Sequence, residues 1–84
     1  MDFLKEHLNK KENNMEGKII RIVEDKGFGF IRSEETGLEY FFHRTGFNGN
    51  FEGLGRKVQR GEVKVGFVVV TNPKGPRAEN VVEL

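Results

Sequence analysis

The 84-residue sequence predicts an all-β fold, a five-stranded barrel or sandwich, preceded by a short N-terminal extension. From Gly17 onward, short apolar runs alternate with segments of Gly, Asn, Asp and Lys, which is the spacing of strands and tight turns. The chain has 11 glycines and only 2 prolines, so we expect many turns. After residue 14, we expect no segment to repeat apolar residues at helical spacing, which disfavours βαβ arrangements.

Composition restricts the class of protein. The length allows one small domain, and a hydrophobic content of 36% is sufficient for a folded core. With no cysteine, the chain forms neither disulfides nor thiolate metal sites, and we predict a cytoplasmic protein. No apolar run approaches a membrane span of about 20 residues, and residues 1–14 do not resemble a signal peptide. The net charge of +1 neither indicates nor excludes a nucleic-acid partner.

Residues 1–14 are predicted to form an N-terminal extension outside the domain, which spans residues 15–84. Leu4 and Leu8 lie one helical turn apart, and Asp2 can cap a helix, so a short helix docked on the domain is one alternative. A flexible tail is the other alternative, because isolated helices of this length are marginal in water.

The predicted strands follow in order, each bounded by turn residues. β-Branched residues favour a first strand over 18–23, and the turn at 24–27 leads to a second over 28–32. The third strand is predicted over 38–43, the fourth over 62–71 and the fifth over 77–83. The connection at 44–60 is rich in glycine and long, so we expect a mobile or functional loop.

Aromatic residues of the second and third predicted strands indicate a binding surface. Because side chains alternate across a strand, Phe28 and Phe30 share one face, and Phe41 and His43 share one face of the next strand. If Ile31 points into the core, these four rings lie together on the solvent side. Exposed rings stack nucleic-acid bases with little regard to sequence and select single strands. The alternative is that Phe28 and Phe30 are core residues, but the glycines around Phe28 favour an open surface.

Four short motifs resemble those of the cold-shock domain, the nucleic-acid-binding OB-fold of bacterial cold-shock proteins and Y-box proteins. They are GKI at 17–19, KGFGFI at 26–31, YFFH at 40–43 and KGPRAENV at 74–81, in the family's order over residues 15–84. The resemblance implies a five-stranded antiparallel OB-fold Greek-key barrel that binds single-stranded RNA and DNA and acts as an RNA chaperone. An RRM also carries the second motif, but it needs a helix where only residues 24–26 are available.

Departures from the family pattern concern the stacking rings. Arg21 and Ile22 stand where the family usually has Trp and Phe, and Arg44 replaces a Phe. Arginine stacks on bases and contacts phosphates, so the surface has either exchanged aromatic for cationic contacts or weakened its binding. Phe47 in the long connection matches a loop aromatic that family members use for stacking.

The candidate binding residues combine rings with bordering cations, and no catalytic, metal or cofactor site is predicted. They are Arg21, Lys26, Phe28, Phe30, Phe41, His43, Arg44, Phe47, Lys74 and Arg77. We expect a monomer, because a closed barrel leaves few free strand edges. The second hypothesis is a protein-interaction module on the same barrel, with a partner bound through the extension or the connection at 44–60.

Overall fold

The computed structural model describes residues 14–84 and consists mainly of strands. The strands are β1 Asn14–Val23, β2 Phe28–Ser33, β3 Glu39–His43, β4 Phe47–Asn48, β5 Lys64–Asn72 and β6 Gly75–Glu83. One helix, α1, spans Leu54–Arg60, and 3-10 turns occupy Arg44–Gly46 and Phe51–Gly53. The tail or helix predicted for the extension lies outside the described residues, except that β1 already begins at Asn14.

The strands form one sheet that closes on itself. Its order is β3-β2-β1-β5-β6-β4, and an additional pairing of β3 with β6 joins the two sides of the sheet. The pairings β1–β2, β2–β3, β1–β5 and β5–β6 are antiparallel, whereas β3–β6 and β4–β6 are parallel. The predicted barrel is confirmed, with mixed rather than purely antiparallel pairing.

Inward-facing side chains of the strands fill the barrel. Ile31, Phe42, Val65 and Val81 have no exposed surface, and Tyr40 packs against Phe67 with ring centroids 5.8 Å apart. Burial of apolar surface of this kind supplies most of the free energy that offsets chain entropy. Because each core residue alternates with an outward one, the core fixes which side chains the barrel presents to solvent.

The connection at 44–60 is structured, and the expectation of a loop without helical spacing was wrong. Leu54 is buried and Val58 packs partly against the core, so the two residues form the inward side of α1. Phe51 is also buried, in the 3-10 turn that precedes the helix. The segment therefore covers one end of the barrel.

A β-bulge in β1 changes which side chains face outward. Ile19 pairs with Ile31, but the next pair is Arg21 with Phe30, so Ile20 is the extra residue. If Ile20 paired with Phe30 in a regular ladder, alternation would direct Arg21 inward, opposite Gly29. The bulge therefore directs Arg21 to the same outer surface as Phe30.

The glycines around Phe28 are explained by backbone geometry. Gly27 has φ of 75°, a conformation that favours glycine in the turn before β2. A Cβ at Gly29 would lie 2.7 Å from the carbonyl oxygen of Arg21 and 2.8 Å from the ring of Phe42. Gly29 thus permits β1 and the core to approach β2, rather than keeping the outer surface open.

Candidate nucleic-acid interface

Three phenylalanine rings form a cluster on the outer surface of β2 and β3. The ring of Phe28 lies 5.8 Å from that of Phe30 and 5.4 Å from that of Phe41, and Phe30 and Phe41 are 6.1 Å apart. All three side chains are half-buried, so each contacts its neighbours and still presents surface to solvent. The strand register explains the cluster, because Phe30 pairs directly with Phe41.

His43 extends this cluster along β3. It is the cross-strand partner of Phe28, and it is half-buried like the phenylalanines. Its Nδ1 accepts a hydrogen bond from the backbone N–H of Thr45 at 3.2 Å and lies 3.0 Å from Thr45 Oγ1. These contacts cap the following 3-10 turn and fix the orientation of the imidazole, leaving Nε2 for a ligand.

One row of outward positions crosses four strands. Arg21 pairs with Phe30, Phe30 with Phe41, and Phe41 with Arg77, so an arginine lies at each end of a row of rings. We call the outward surface formed by Phe28, Phe30, Phe41 and His43, with the arginines that border it, the aromatic face. The structure thus brings together four of the predicted rings and two of the predicted cations.

The cations at the β1–β2 end of the aromatic face have no acidic partner among residues 14–84. Within this range, none of Arg21, Lys26 and Arg44 forms an ion pair. The backbone N–H of Arg44 donates to the carbonyl of Gly27 at 2.8 Å, and the stem of its side chain covers that glycine. These guanidinium and ammonium groups are therefore available to phosphates.

The remaining two predicted cations differ from these three. Arg77 is bound to the carboxylate of Glu79, which also receives a hydrogen bond from Nε of the arginine at 2.5 Å. Lys74 lies in the turn between β5 and β6, three residues before Arg77 along the chain. A phosphate at Arg77 must therefore share or displace a carboxylate.

A second set of outward cations, on β1, β2 and β5, is fully paired. Lys18 contacts Glu62 at 2.9 Å, Arg32 contacts Glu39 at 2.9 Å, and Lys64 contacts Glu34 at 3.7 Å. We call this surface the ion-paired face. The hydrogen bond and the opposite charge raise the pKa of Lys18 and lower the pKa of Glu62 from their usual values.

Phe47 does not belong to the aromatic face, and its prediction as a stacking residue was wrong. Its ring is only 7% exposed and packs against Phe42 with centroids 6.3 Å apart. It is buried because it lies in β4, where it pairs with Val81 of β6. Arg21 and Ile22 stand where the family usually has Trp and Phe. Ile22 packs partly against the core, so only Arg21 of the two faces outward.

Sequence reasoning missed a groove beside the aromatic face. It has a volume of about 1070 Å³ and lies between the β1–β2 turn and the segment 50–59. Arg21 and Arg44, which border the aromatic face, also line the groove, and so does Arg56 of α1. The signal in the sequence was the four-residue spacing of Leu54 and Val58, which places Arg56 on the outer side of a helix.

Two other classes of site are not found in the part of the chain that the structure describes. Residues 14–84 contain no group of three or more His, Cys, Asp or Glu side chains placed to hold a metal ion. Within the same residues, no helix is long and apolar enough to cross a membrane.

Comparison with known proteins gives consistent matches. Residues 15–84 match the family described as the "'Cold-shock' DNA-binding domain". A cold shock-like protein of Aquifex aeolicus is 43% identical over 65 residues, which are 77% of this chain and 87% of that protein. Cold shock protein CspD of Bacillus subtilis is 40% identical over 68 residues, 81% of this chain and 96% of that protein.

A solved structure has a similar fold. It is "drosophila Unr CSD456", with a TM-score of 0.64 and 26% sequence identity. The match covers 96% of this chain but only 31% of that one, so the chain corresponds to about a third of the larger protein.

Proposed function

The chain belongs to the cold-shock domain family of nucleic-acid-binding proteins, and from this premise we propose that it binds single-stranded RNA and DNA on the aromatic face. The observation that carries the proposal is the cluster of Phe28, Phe30 and Phe41, whose rings lie 5.4 to 6.1 Å apart on an outward surface. Each ring offers a stacking surface to one base, worth about 1–3 kcal/mol. A duplex keeps its bases stacked on each other and cannot use these surfaces.

Arginine supplies the second contribution to binding. Arg21 and Arg44 border the rings without an acidic partner among residues 14–84, so their guanidinium groups can contact phosphates or stack on bases. Each phosphate contact releases counterions, which makes the affinity fall as salt rises. Lys26, in the turn before β2, would add a further contact of this kind. Arg77 and Lys74 would act at the β6 end.

The biological role that follows is that of an RNA chaperone without catalytic activity. A protein that binds only unpaired RNA shifts the equilibrium away from hairpins by mass action. We propose that it acts as a monomer, because the β3–β6 pairing closes the barrel and leaves few strand edges. The cysteine-free sequence fits a cytoplasmic location.

A titration followed by NMR tests both affinity and location. A short oligothymidine is added to the full chain at low and at moderate salt, while backbone amide shifts are recorded. We expect the largest shifts at Phe28, Phe30, Phe41 and His43, with weaker binding at the higher salt concentration. The Lys18 and Lys64 amides of the ion-paired face serve as internal controls that should move little.

Two results would contradict the proposal. If no amide shifts even at low salt, the rings do not bind single strands, and the barrel is better explained as a protein-interaction module. If shifts occur but are centred on the ion-paired face, binding is electrostatic and does not involve stacking. A matched hairpin of the same length measures the preference for unpaired strands.

A further inference from the structure

The groove beside the aromatic face contains an unusual set of charged groups. Guanidinium groups and carboxylates line it in equal number: Arg21, Arg44 and Arg56 against Glu24, Asp25 and Glu52. Within residues 14–84, none of these six groups forms an ion pair with another charged side chain. Opposite charges that share one groove without pairing remain available to a ligand that both donates and accepts hydrogen bonds.

The walls of the groove are fixed by the fold. Glu24 follows β1, and its carboxylate lies so close to α1 that a Cβ at Gly55 would be 2.7 Å from its Oε2. The side chain of Asn50, which also lines the groove, accepts a hydrogen bond from the backbone N–H of Glu52 at 3.1 Å and holds the turn before α1. The apolar side chains of Ile22, Phe51 and Val58 form the remaining wall, against which a flat ring can pack.

The groove is continuous with the aromatic face. Arg21 is the cross-strand partner of Phe30, and Arg44 directly follows His43, yet both side chains also line the groove. A strand that stacks on the rings and continues past β1 therefore enters the groove. The next nucleotide of that strand is the occupant that the geometry favours.

The charges in the groove indicate which base this nucleotide carries. The three carboxylates of the groove offset its three guanidinium groups, so the groove as a whole offers no net attraction to an anion alone. Guanine presents the adjacent acceptors O6 and N7, which a guanidinium binds with two hydrogen bonds, and the adjacent donors N1–H and N2–H, which a carboxylate accepts. None of the other standard bases offers both arrangements.

We propose that the groove binds one guanine base of the single strand held by the aromatic face. Arginine of the groove donates to O6 and N7, and a carboxylate of the groove accepts from N1 and N2. The inference rests on the proposed function and adds a base preference to it, since stacking alone tolerates any base.

The test compares short oligothymidines that carry one guanine at the 5′ end, one at the 3′ end, or none. The affinity of the full chain is measured by fluorescence anisotropy. One of the two guanine oligonucleotides is expected to bind about fivefold or more tightly than the all-thymine strand. Replacing that guanine by 7-deazaguanine, which lacks N7, or by inosine, which lacks the N2 amino group, should each remove part of the gain.

Variants locate the preference on the groove. Arg56→Gln and Glu52→Gln should reduce the guanine gain while leaving oligothymidine affinity unchanged, because neither residue belongs to the aromatic face. Arg60→Gln is the matched control on the same helix, since Arg60 does not line this groove. It should leave the gain intact.

Each remaining outcome decides against the inference. Equal affinity for all three oligonucleotides shows that the groove reads no base, while the aromatic face still binds and the proposed function stands. A guanine preference that survives both Arg56→Gln and Glu52→Gln lies elsewhere on the protein. Failure of every oligonucleotide to bind removes the proposed function itself, and the groove would then suit a protein segment.

Discussion

The aromatic face and the ion-paired face share strands β1 and β2 but differ in chemistry. β1 contributes Arg21 to the first and Lys18 to the second, and β2 contributes Phe30 to the first and Arg32 to the second. In the ion-paired face every cation contacts a carboxylate, whereas Arg21 has none among residues 14–84.

This difference explains why total charge was uninformative. A net charge of +1 hides cations that are neutralised locally and cations that are not. A cation that already contacts a carboxylate offers little to a phosphate, because the carboxylate must first be displaced. The distribution of acidic partners, rather than the number of basic residues, therefore marks the surface that can attract nucleic acid.

Removal of the rings should have the largest effect. Phe28→Ala and Phe41→Ala are each expected to lower the affinity for a short oligothymidine by about 5- to 150-fold, because each removes a stacking surface worth about 1–3 kcal/mol. Isothermal titration calorimetry measures the change. Both rings are half-buried, so a thermal melt of each variant must first show a folded barrel.

Arg32→Ala, on the ion-paired face, is the matched control for the rings. It lies further along β2 and should leave the affinity unchanged. If Arg32→Ala weakens binding as much as Phe28→Ala does, the two faces do not differ in function.

The unpaired arginines should have the next largest effect. Arg21→Ala and Arg44→Ala are expected to weaken binding by about five- to tenfold at low salt and to reduce the slope of log affinity against log salt by about 0.7 for each phosphate that the variant no longer binds. Lys18→Ala and Lys64→Ala provide the comparison and should leave the slope unchanged. If the arginine variants and the lysine variants change the slope equally, a carboxylate partner does not determine whether a cation binds phosphate.

Glu79→Gln should leave Arg77 without its carboxylate partner, so that it resembles Arg21 and Arg44. Loss of this carboxylate frees Arg77 from its ion pair, so the pair no longer competes with a phosphate, and the affinity for oligothymidine is expected to rise about two- to threefold. Anisotropy at low salt measures the gain, and Glu83→Gln, whose ion pair with Lys57 lies outside the aromatic face, is the control. An unchanged affinity would exclude Arg77 from the interface.

The Lys18–Glu62 pair should have the smallest effect, and only on stability. Because the pKa of Glu62 is lowered in the folded protein, its contribution is present at neutral pH and is lost as the pH falls through that pKa. The raised pKa of Lys18 keeps the contribution until the pH rises through the pKa of the lysine.

Thermal melts of the parent chain and Glu62→Gln should therefore differ slightly at about pH 7 and coincide at about pH 3. High salt should also remove the difference, since both side chains are exposed. A difference that persists in acid would assign the effect to something other than this pair.

Regular alternation made most of the barrel and the rings predictable. Phe28, Phe30 and Phe41 share a surface because the inward positions between them belong to Gly29 and Phe42, which the sequence indicates directly. The first strand was predicted to begin at residue 18, but β1 begins at Asn14. Asn14 and Gly17 are residue types typical of turns, and they are part of the strand because they pair with β5.

Features that depend on contacts distant in sequence could not be predicted. Phe47 occurs among glycines and polar residues, and its burial depends on pairing with Val81, far along the chain. Helix α1 contains a single apolar pair at helical spacing, Leu54 and Val58, between Gly53 and Gly61. The pairing of cations with carboxylates also depends on tertiary structure, because Lys18 and Glu62 are 44 residues apart in the sequence.

The bulge at Ile20 gives β1 one residue more than its ladder with β2 needs. Deleting Ile20 would place Arg21 directly after Ile19, and both residues would keep their partners on β2, Phe30 and Ile31. Between Phe28 and Ile31, β2 has no spare residue, so a deletion there would exchange the inner and outer positions on one side of the lost residue. The effect of a lost codon on this strand pair therefore depends on where in the ladder it falls.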